Sequence, residues 1–118
     1  MNLTDPVAMI TGWCLYDLGR PGEAAEILDC EVARVPLHAL RSCTRYGVRR
    51  ALAHAAAGEV EHACEIAESL LSGVWLVGSA TIRTDLRRLA RTLSRFRTIR
   101  SVRELSPRLA ASLCGPVA

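Results

Sequence analysis

The chain has 118 residues, half of them hydrophobic but only 4% aromatic, and its formal net charge is +3. At this length it forms one domain, and its many alanines and leucines with few aromatic or β-branched residues exclude a β-sandwich or barrel and predict an all-α fold. It lacks a run of about 18 apolar residues and an N-terminal basic segment followed by an apolar run, which excludes a membrane span and a secretory signal.

Capping residues, apolar periodicity and chain-breaking residues predict six helices. The first begins at Thr4-Asp5-Pro6, where a capping side chain precedes a proline at the first helical position, and it ends at Gly19. The second starts near Pro21 and stops before Pro36. The third spans about residues 38–57.

The second half of the chain is predicted to contain three further helices. The fourth spans about residues 60–71 and is followed by an apolar linker, residues 73–78, with a glycine at each end. The fifth spans about residues 79–96. The sixth starts at a capping box, Ser101-x-x-Glu104, and Pro107 leaves open whether this helix kinks or a short helix restarts there.

The same pattern of small residues recurs with a period of 39 residues. Small residues occur at Gly12, Ala51 and Ala90, and twelve residues later come Ala24, Ala63 and Val102. Between them stand Gly19, Gly58 and Arg97. A fixed period of this length indicates a helical repeat. We therefore predict three stacked antiparallel helix hairpins, residues 5–36, 38–72 and 79–113, within a single domain, residues 1–118.

This arrangement resembles the tetratricopeptide repeat, an α-solenoid. The first copy matches the family pattern at Gly12, Leu15, Ala24, Leu28 and Pro36, the second at Ala51, Ala63 and Ala67, and the third at Leu86, Leu89, Ala90 and Leu93. The second helix of the third copy departs from the pattern. The period exceeds the usual value of about 34 residues, which implies longer first helices or longer loops.

A narrower resemblance is to the tetratricopeptide-like C-terminal sensor region of actinobacterial helix-turn-helix regulators. Residues 51–60 (ALAHAAAGEV) and 102–110 carry it. All fifteen basic residues are arginine, which is typical of a GC-rich genome. Those regulators have an N-terminal DNA-binding domain, whereas this chain begins directly on the first repeat, so the resemblance implies a stand-alone or truncated sensor or adaptor in the cytoplasm.

In tetratricopeptide-like stacks, the first helix of each hairpin lines an inner groove, and the resemblance places fifteen residues of this chain there. They are Pro6, Met9, Trp13, Tyr16 and Asp17; Arg45, Val48, Leu52, Ala55 and Ala56; and Thr84, Arg87, Arg91, Ser94 and Arg95. We expect Met9, Trp13 and Tyr16 to anchor an apolar group and Arg45, Arg87, Arg91 and Arg95 to pair with carboxylates. The predicted partner is an acidic peptide or protein segment. The alternative is that Trp13 and Tyr16 belong to the core.

The charge distribution leaves a second kind of partner open. Residues 1–82 contain six arginines and ten acids, while residues 83–118 contain nine arginines and two acids. Arginines repeat every four residues at positions 83, 87, 91 and 95, and such a basic helix could contact the phosphates of a nucleic acid. The apolar end faces of a short repeat array also leave homodimer formation open.

The sequence favours neither catalysis nor a cofactor. No nucleophile–base set and no glycine-rich phosphate loop is suggested, although a small helical enzyme or accessory protein of a biosynthetic gene cluster stays an alternative. His62-x-Cys64 lies among Glu59, Glu61 and Glu65, but side chains two residues apart on a helix diverge, so we expect no metal site. Five cysteines without a CxxC pair fit a reduced cytoplasm.

Overall fold

The computed structural model describes residues 5–114, and within that range the chain is all-α, with no strand. Its six helices form three consecutive pairs. They are α1 (Pro6–Asp17), α2 (Pro21–Val32), α3 (Leu40–Ala56), α4 (Val60–Val77), α5 (Ala80–Leu93) and α6 (Arg100–Leu113), with a 3-10 turn (Ser94–Phe96) after α5. The predicted all-α class and the predicted number of helices are confirmed.

The ends of the first helices follow from local chemistry. Asp5 caps α1, since its carboxylate accepts a hydrogen bond of 2.9 Å from the Val7 N–H, and Thr4 lies outside the described residues. Gly19 and Gly58, which occupy equivalent positions in two copies, both adopt positive φ values, +77° and +90°. That left-handed backbone lets each paired helix reverse direction within a tight turn. The third copy has Arg97 there, with a φ of −65° after the 3-10 turn.

The predicted linker at residues 73–78 is wrong, because α4 continues through it to Val77. Gly73 does not stop the helix; it permits close approach to α3, since a Cβ atom there would lie 2.5 Å from the Thr44 Oγ1. Val74 is 1% exposed, so the apolar run is packed as helix. The glycine that ends α4 is Gly78, with a φ of +61°.

For the last helix, the structure corrects the predicted capping box and answers the question that Pro107 left open. It begins at Arg100 with Ile99 as its N-cap residue, so Ser101 and Glu104 form no capping box; instead, the Glu104 carboxylate accepts a hydrogen bond of 2.8 Å from the Arg100 Nε. Pro107 lies inside a continuous α6. The helix does not restart at the proline, because Leu105 and Leu109 on either side of it are both buried on the same face.

Helix α3 is the centre of the packing. It contacts α2, α4 and α5, and α6 packs against α4 and α5. As a result, eight of its seventeen residues are buried. Val48, Leu52 and Ala55 are at most 1% exposed, so the expectation that they line a groove is wrong and they belong to the core. Ala56 is exposed and lines none of the hollows described below.

A polar junction joins α2, α3 and α4. His54 is 4% exposed, and its Nε2 lies 2.8 Å from an Asp29 Oδ1 while its Nδ1 lies 3.1 Å from a Glu59 Oε1. Arg50 Nε donates to the same Asp29 oxygen at 2.5 Å. Burial alone would raise the pKa of Asp29, but the hydrogen bonds from His54 and Arg50 outweigh it and lower the pKa below its ordinary value of 3.8.

This lowered pKa predicts an acid-dependent loss of stability. The ionised Asp29 stabilises the folded chain above pH 3.8, and this contribution is lost as the pH falls through the lower pKa of the folded state. We expect Asp29→Asn to be less stable than the wild type at pH 7, and the difference in unfolding free energy to shrink below about pH 4. Urea unfolding of both proteins, from pH 7 down to acidic pH, measures this difference in unfolding free energy. A difference that does not change with pH would contradict this role of Asp29.

Candidate peptide-binding groove

Helices α1 and α3, the first helices of their hairpins, flank a groove of about 290 Å³, here called the α1–α3 groove. Its lining is apolar and aromatic except for two guanidinium groups and one thiol. The residues that line it are Pro6, Met9, Ile10, Trp13, Cys14, Arg45, Tyr46 and Arg49. Helical spacing explains the set, since Met9 and Trp13 lie one turn apart on α1, as do Arg45 and Arg49 on α3.

The aromatic wall of the groove is held in place by stacking. The rings of Trp13 and Tyr16 are parallel within 6°, with centroids 4.6 Å apart. The Arg49 guanidinium lies 4.5 Å from the centroid of Trp13, and that of Arg88 lies 5.8 Å away. Such contacts between a cation and an indole are favourable. Burial raises the pKa of the Tyr16 phenol, and the charge and hydrogen bond of Arg88 only partly offset this rise.

An ion pair ties the same wall to α5. The Arg49 Nε donates to an Asp85 Oδ2 at 3.2 Å, and the two side chains are only 18% and 8% exposed. Arg49 therefore has both its charge and its planar face engaged, by Asp85 and by Trp13. The indole is thus fixed from α3 and α5 before any ligand arrives.

Arg45 differs from Arg49 in that it is exposed and available. Its guanidinium lies 5.7 Å from the centroid of Tyr46, and no acidic side chain among residues 5–114 forms an ion pair with it. Met9, which lines the same groove, is only 4% exposed. The groove therefore combines an apolar floor, an aromatic wall and one guanidinium that a carboxylate can reach.

The structure divides the residues that the sequence assigned to a single groove. Met9, Trp13 and Arg45 line the α1–α3 groove, and Tyr16 stacks on Trp13. Arg87 and Arg91 instead line a separate hollow with Ala90 and Leu113, between α5 and α6. The last predicted site residue, Arg95, is exposed on the 3-10 turn.

Sequence reasoning missed three lining residues that matter for the groove. Ile10 follows Met9 on α1, and Tyr46 and Arg49 stand beside Arg45 on α3. Arg49 had a usable signal, since it lies one turn beyond Arg45 and therefore on the same helical face. Its partner Asp85 had none, because 36 residues separate the two in sequence.

A separate cluster of histidines and acids lies where α3 meets α4. The rings of His54 and His62 meet edge to face at 4.6 Å, and the His62 Nδ1 lies 3.7 Å from a Glu65 Oε2. Burial and, to a lesser extent, Glu61 and Glu68 raise the pKa of the Cys64 thiol.

Within residues 5–114, no three His, Cys, Asp or Glu side chains are placed to hold a metal ion. None of the helices in that range combines the length and apolarity needed to cross a bilayer.

Comparison with known proteins adds no relative. No family model matches the chain, and no curated protein or solved structure is significantly similar to it. The class that the fold defines is a six-helix, all-α protein. Any function must be inferred from its own surfaces.

Proposed function

We propose that this chain is a non-catalytic module that binds a peptide or protein segment in the α1–α3 groove, in a regulatory role in the cytoplasm. The observation that carries the proposal is the Trp13 wall, which is held by stacking and by Arg49 beside an exposed Arg45. A preformed aromatic surface binds without first being ordered, which lowers the entropic cost of association. Tryptophan, tyrosine and arginine are also the residues that contribute most to binding free energy at interfaces.

The dimensions and chemistry of the groove indicate the ligand. A volume of about 290 Å³ lies at the lower limit of ordinary small-molecule pockets, and it fits an apolar side chain with its neighbours on an extended segment. Arg45 at the rim would pair with a carboxylate next to that side chain. The proposed ligand is therefore a segment in which an aromatic or aliphatic residue adjoins Asp or Glu.

The structure of the groove and of the basic helix favours peptide binding over two alternatives, catalysis and nucleic-acid binding. None of the described residues that line the groove is a histidine or a carboxylate, the side chains that most often act as general acid or base, and this favours binding over catalysis. The basic helix offers fewer cations to phosphates than its sequence suggests, because Arg83 is 4% exposed and the Arg88 guanidinium packs over the Trp13 ring. Arg87, Arg91 and Arg95 stay exposed, and a nucleic-acid function would depend on them.

Selection from a displayed library of random peptides tests the proposal. We expect enrichment of sequences that place an aromatic or aliphatic residue beside an acid. A synthetic peptide of the enriched sequence should quench or shift the fluorescence of Trp13 in the Trp75→Phe variant, which has no other tryptophan. Trp13→Ala and Arg45→Glu should each weaken binding at least tenfold, a loss of about 1.4 kcal/mol or more.

Two controls separate the groove from its surroundings. Arg45 is exposed, so Arg45→Glu should leave the helical circular dichroism unchanged and its effect reports on binding alone. Arg87→Glu removes the same charge outside the groove and should leave peptide affinity within about twofold. Enriched peptides that bind Trp13→Ala and Arg45→Glu as tightly as the wild type would refute the proposal, as would binding to single-stranded DNA that depends on Arg87.

A further inference from the structure

The two ends of the helical stack each carry a hollow, and the two hollows differ in charge. The first, here called the acidic hollow, has a volume of about 550 Å³ and lies between α1 and α2. Its lining includes Val7 and the acids Asp5, Glu26 and Glu31. The second, here called the basic hollow, has a volume of about 380 Å³ and is lined by Arg87, Ala90, Arg91 and Leu113 of α5 and α6. Each is lined by residues of one hairpin only, the first or the third along the chain.

The charges that remain available at each end are opposite in sign. In the acidic hollow, Glu31 is already engaged, because its Oε1 accepts a hydrogen bond of 2.8 Å from the Asp5 N–H and its Oε2 lies 3.3 Å from the Arg34 Nη1. Glu26 is exposed and forms no ion pair within residues 5–114. Arg87 and Arg91 at the other end are exposed, lie one turn apart and likewise lack an acidic partner in that range.

Apolar groups accompany the charges at both ends. Val7 beside the acidic hollow is 71% exposed, and the basic hollow has an apolar floor of Ala90 and Leu113. In a stacked array each hairpin buries its apolar face against the next, so a terminal hairpin leaves one such face in water. A contact between the two ends would bury this apolar surface and pair Glu26 with an arginine, and both effects are favourable.

We propose that the acidic hollow of one chain docks on the basic hollow of a second copy of the same chain. Such a contact joins two different surfaces, so it is heterologous and continues the helical stack from one molecule into the next. It differs from a symmetric dimer formed through one end, in which that end would meet its own like charge. The contact is independent of peptide binding, because neither Glu26 nor Arg91 lines the α1–α3 groove.

Analytical ultracentrifugation of charge-reversed variants tests this docking. The mass-average molecular weight of the wild type should rise with concentration without a plateau at the dimer, and it should fall as salt is added. Glu26→Arg and Arg91→Glu should each sediment as monomers, since one reversal places like charges at both ends. A one-to-one mixture of the two variants, and the double variant E26R/R91E, should associate at least tenfold more tightly than either single variant.

The outcomes distinguish the possible contacts. A wild type that stays monomeric up to millimolar concentration overturns the proposal, and so does a dimer that persists unchanged in Arg91→Glu. Failure of the mixture to associate, with both variants showing wild-type circular dichroism, also overturns it. Peptide affinity measured on the same variants should match the wild type, so that a failure of docking and a failure of groove binding give separate results.

Discussion

Replacing Leu52 with alanine is expected to lower the free energy of unfolding by about 2–5 kcal/mol. The side chain of Leu52 is 0% exposed and belongs to the main core cluster, in which α3 meets its neighbours. Truncation removes apolar burial and leaves a cavity that the surrounding helices fill only in part. Chemical denaturation at neutral pH, followed by circular dichroism, measures the loss.

A matched variant shows whether burial causes this effect. Leu37 is 95% exposed, so Leu37→Ala makes the same chemical change in water and should alter stability by less than about 0.5 kcal/mol. The tetratricopeptide resemblance instead places Leu52 on the inner groove. If Leu52→Ala were as stable as Leu37→Ala but bound peptide more weakly, Leu52 would belong to the groove and its place in the core would be contradicted.

Replacing Asp85 with alanine is expected to lower the free energy of unfolding by about 2–4 kcal/mol, the largest loss that we expect after that of Leu52→Ala. The change leaves Arg49, whose side chain is 18% exposed, without the carboxylate that lies 3.2 Å from its Nε. Removing one member of a largely buried ion pair is costly because the remaining charge keeps its desolvation penalty. The indole of Trp13 should also lose order, since the same guanidinium packs against it. Thermal unfolding and the tryptophan emission of the Trp75→Phe background report on both consequences.

A double-mutant cycle isolates this pair from other effects of the substitutions. Asp85→Ala should cost less in an Arg49→Ala background, by about 1 kcal/mol or more. Arg100 and Glu104 provide an exposed comparison, with side chains 84% and 65% exposed, and the same cycle there should give less than about 0.5 kcal/mol. Equal coupling energies for the two pairs would show that the Arg49–Asp85 pair has no special structural role.

Local signals were sufficient for most of the helices. Asp5 with Pro6 marks the start of α1, and Gly19 and Gly58 end their helices because they adopt a backbone that other residues avoid. The local sequence signals failed where the role of a residue depends on a partner that is distant in sequence. Gly73 looks like a helix stop, yet its role is to admit Thr44 of α3, and no local pattern reveals that contact.

The candidate site was predictable only in part for the same reason. The register of the repeat put Met9, Trp13 and Arg45 together, and the structure finds them around one groove. It could not show that α3 is covered by α2, α4 and α5, which buries Leu52, or that α5 turns Arg91 toward a different hollow. Those facts depend on how hairpins pack against one another, which a repeat period does not specify.

The contacts of Arg88 have a consequence for how the chain unfolds. In an ordinary solenoid each repeat meets only the next, so that the array can fray from one end. Here the guanidinium of Arg88, in the third hairpin, lies 5.8 Å from the centroid of the Trp13 ring, which belongs to the first hairpin. The first and last hairpins are thereby coupled directly, and opening either one breaks contacts of the other. The 110 residues described should therefore melt in one cooperative transition rather than hairpin by hairpin.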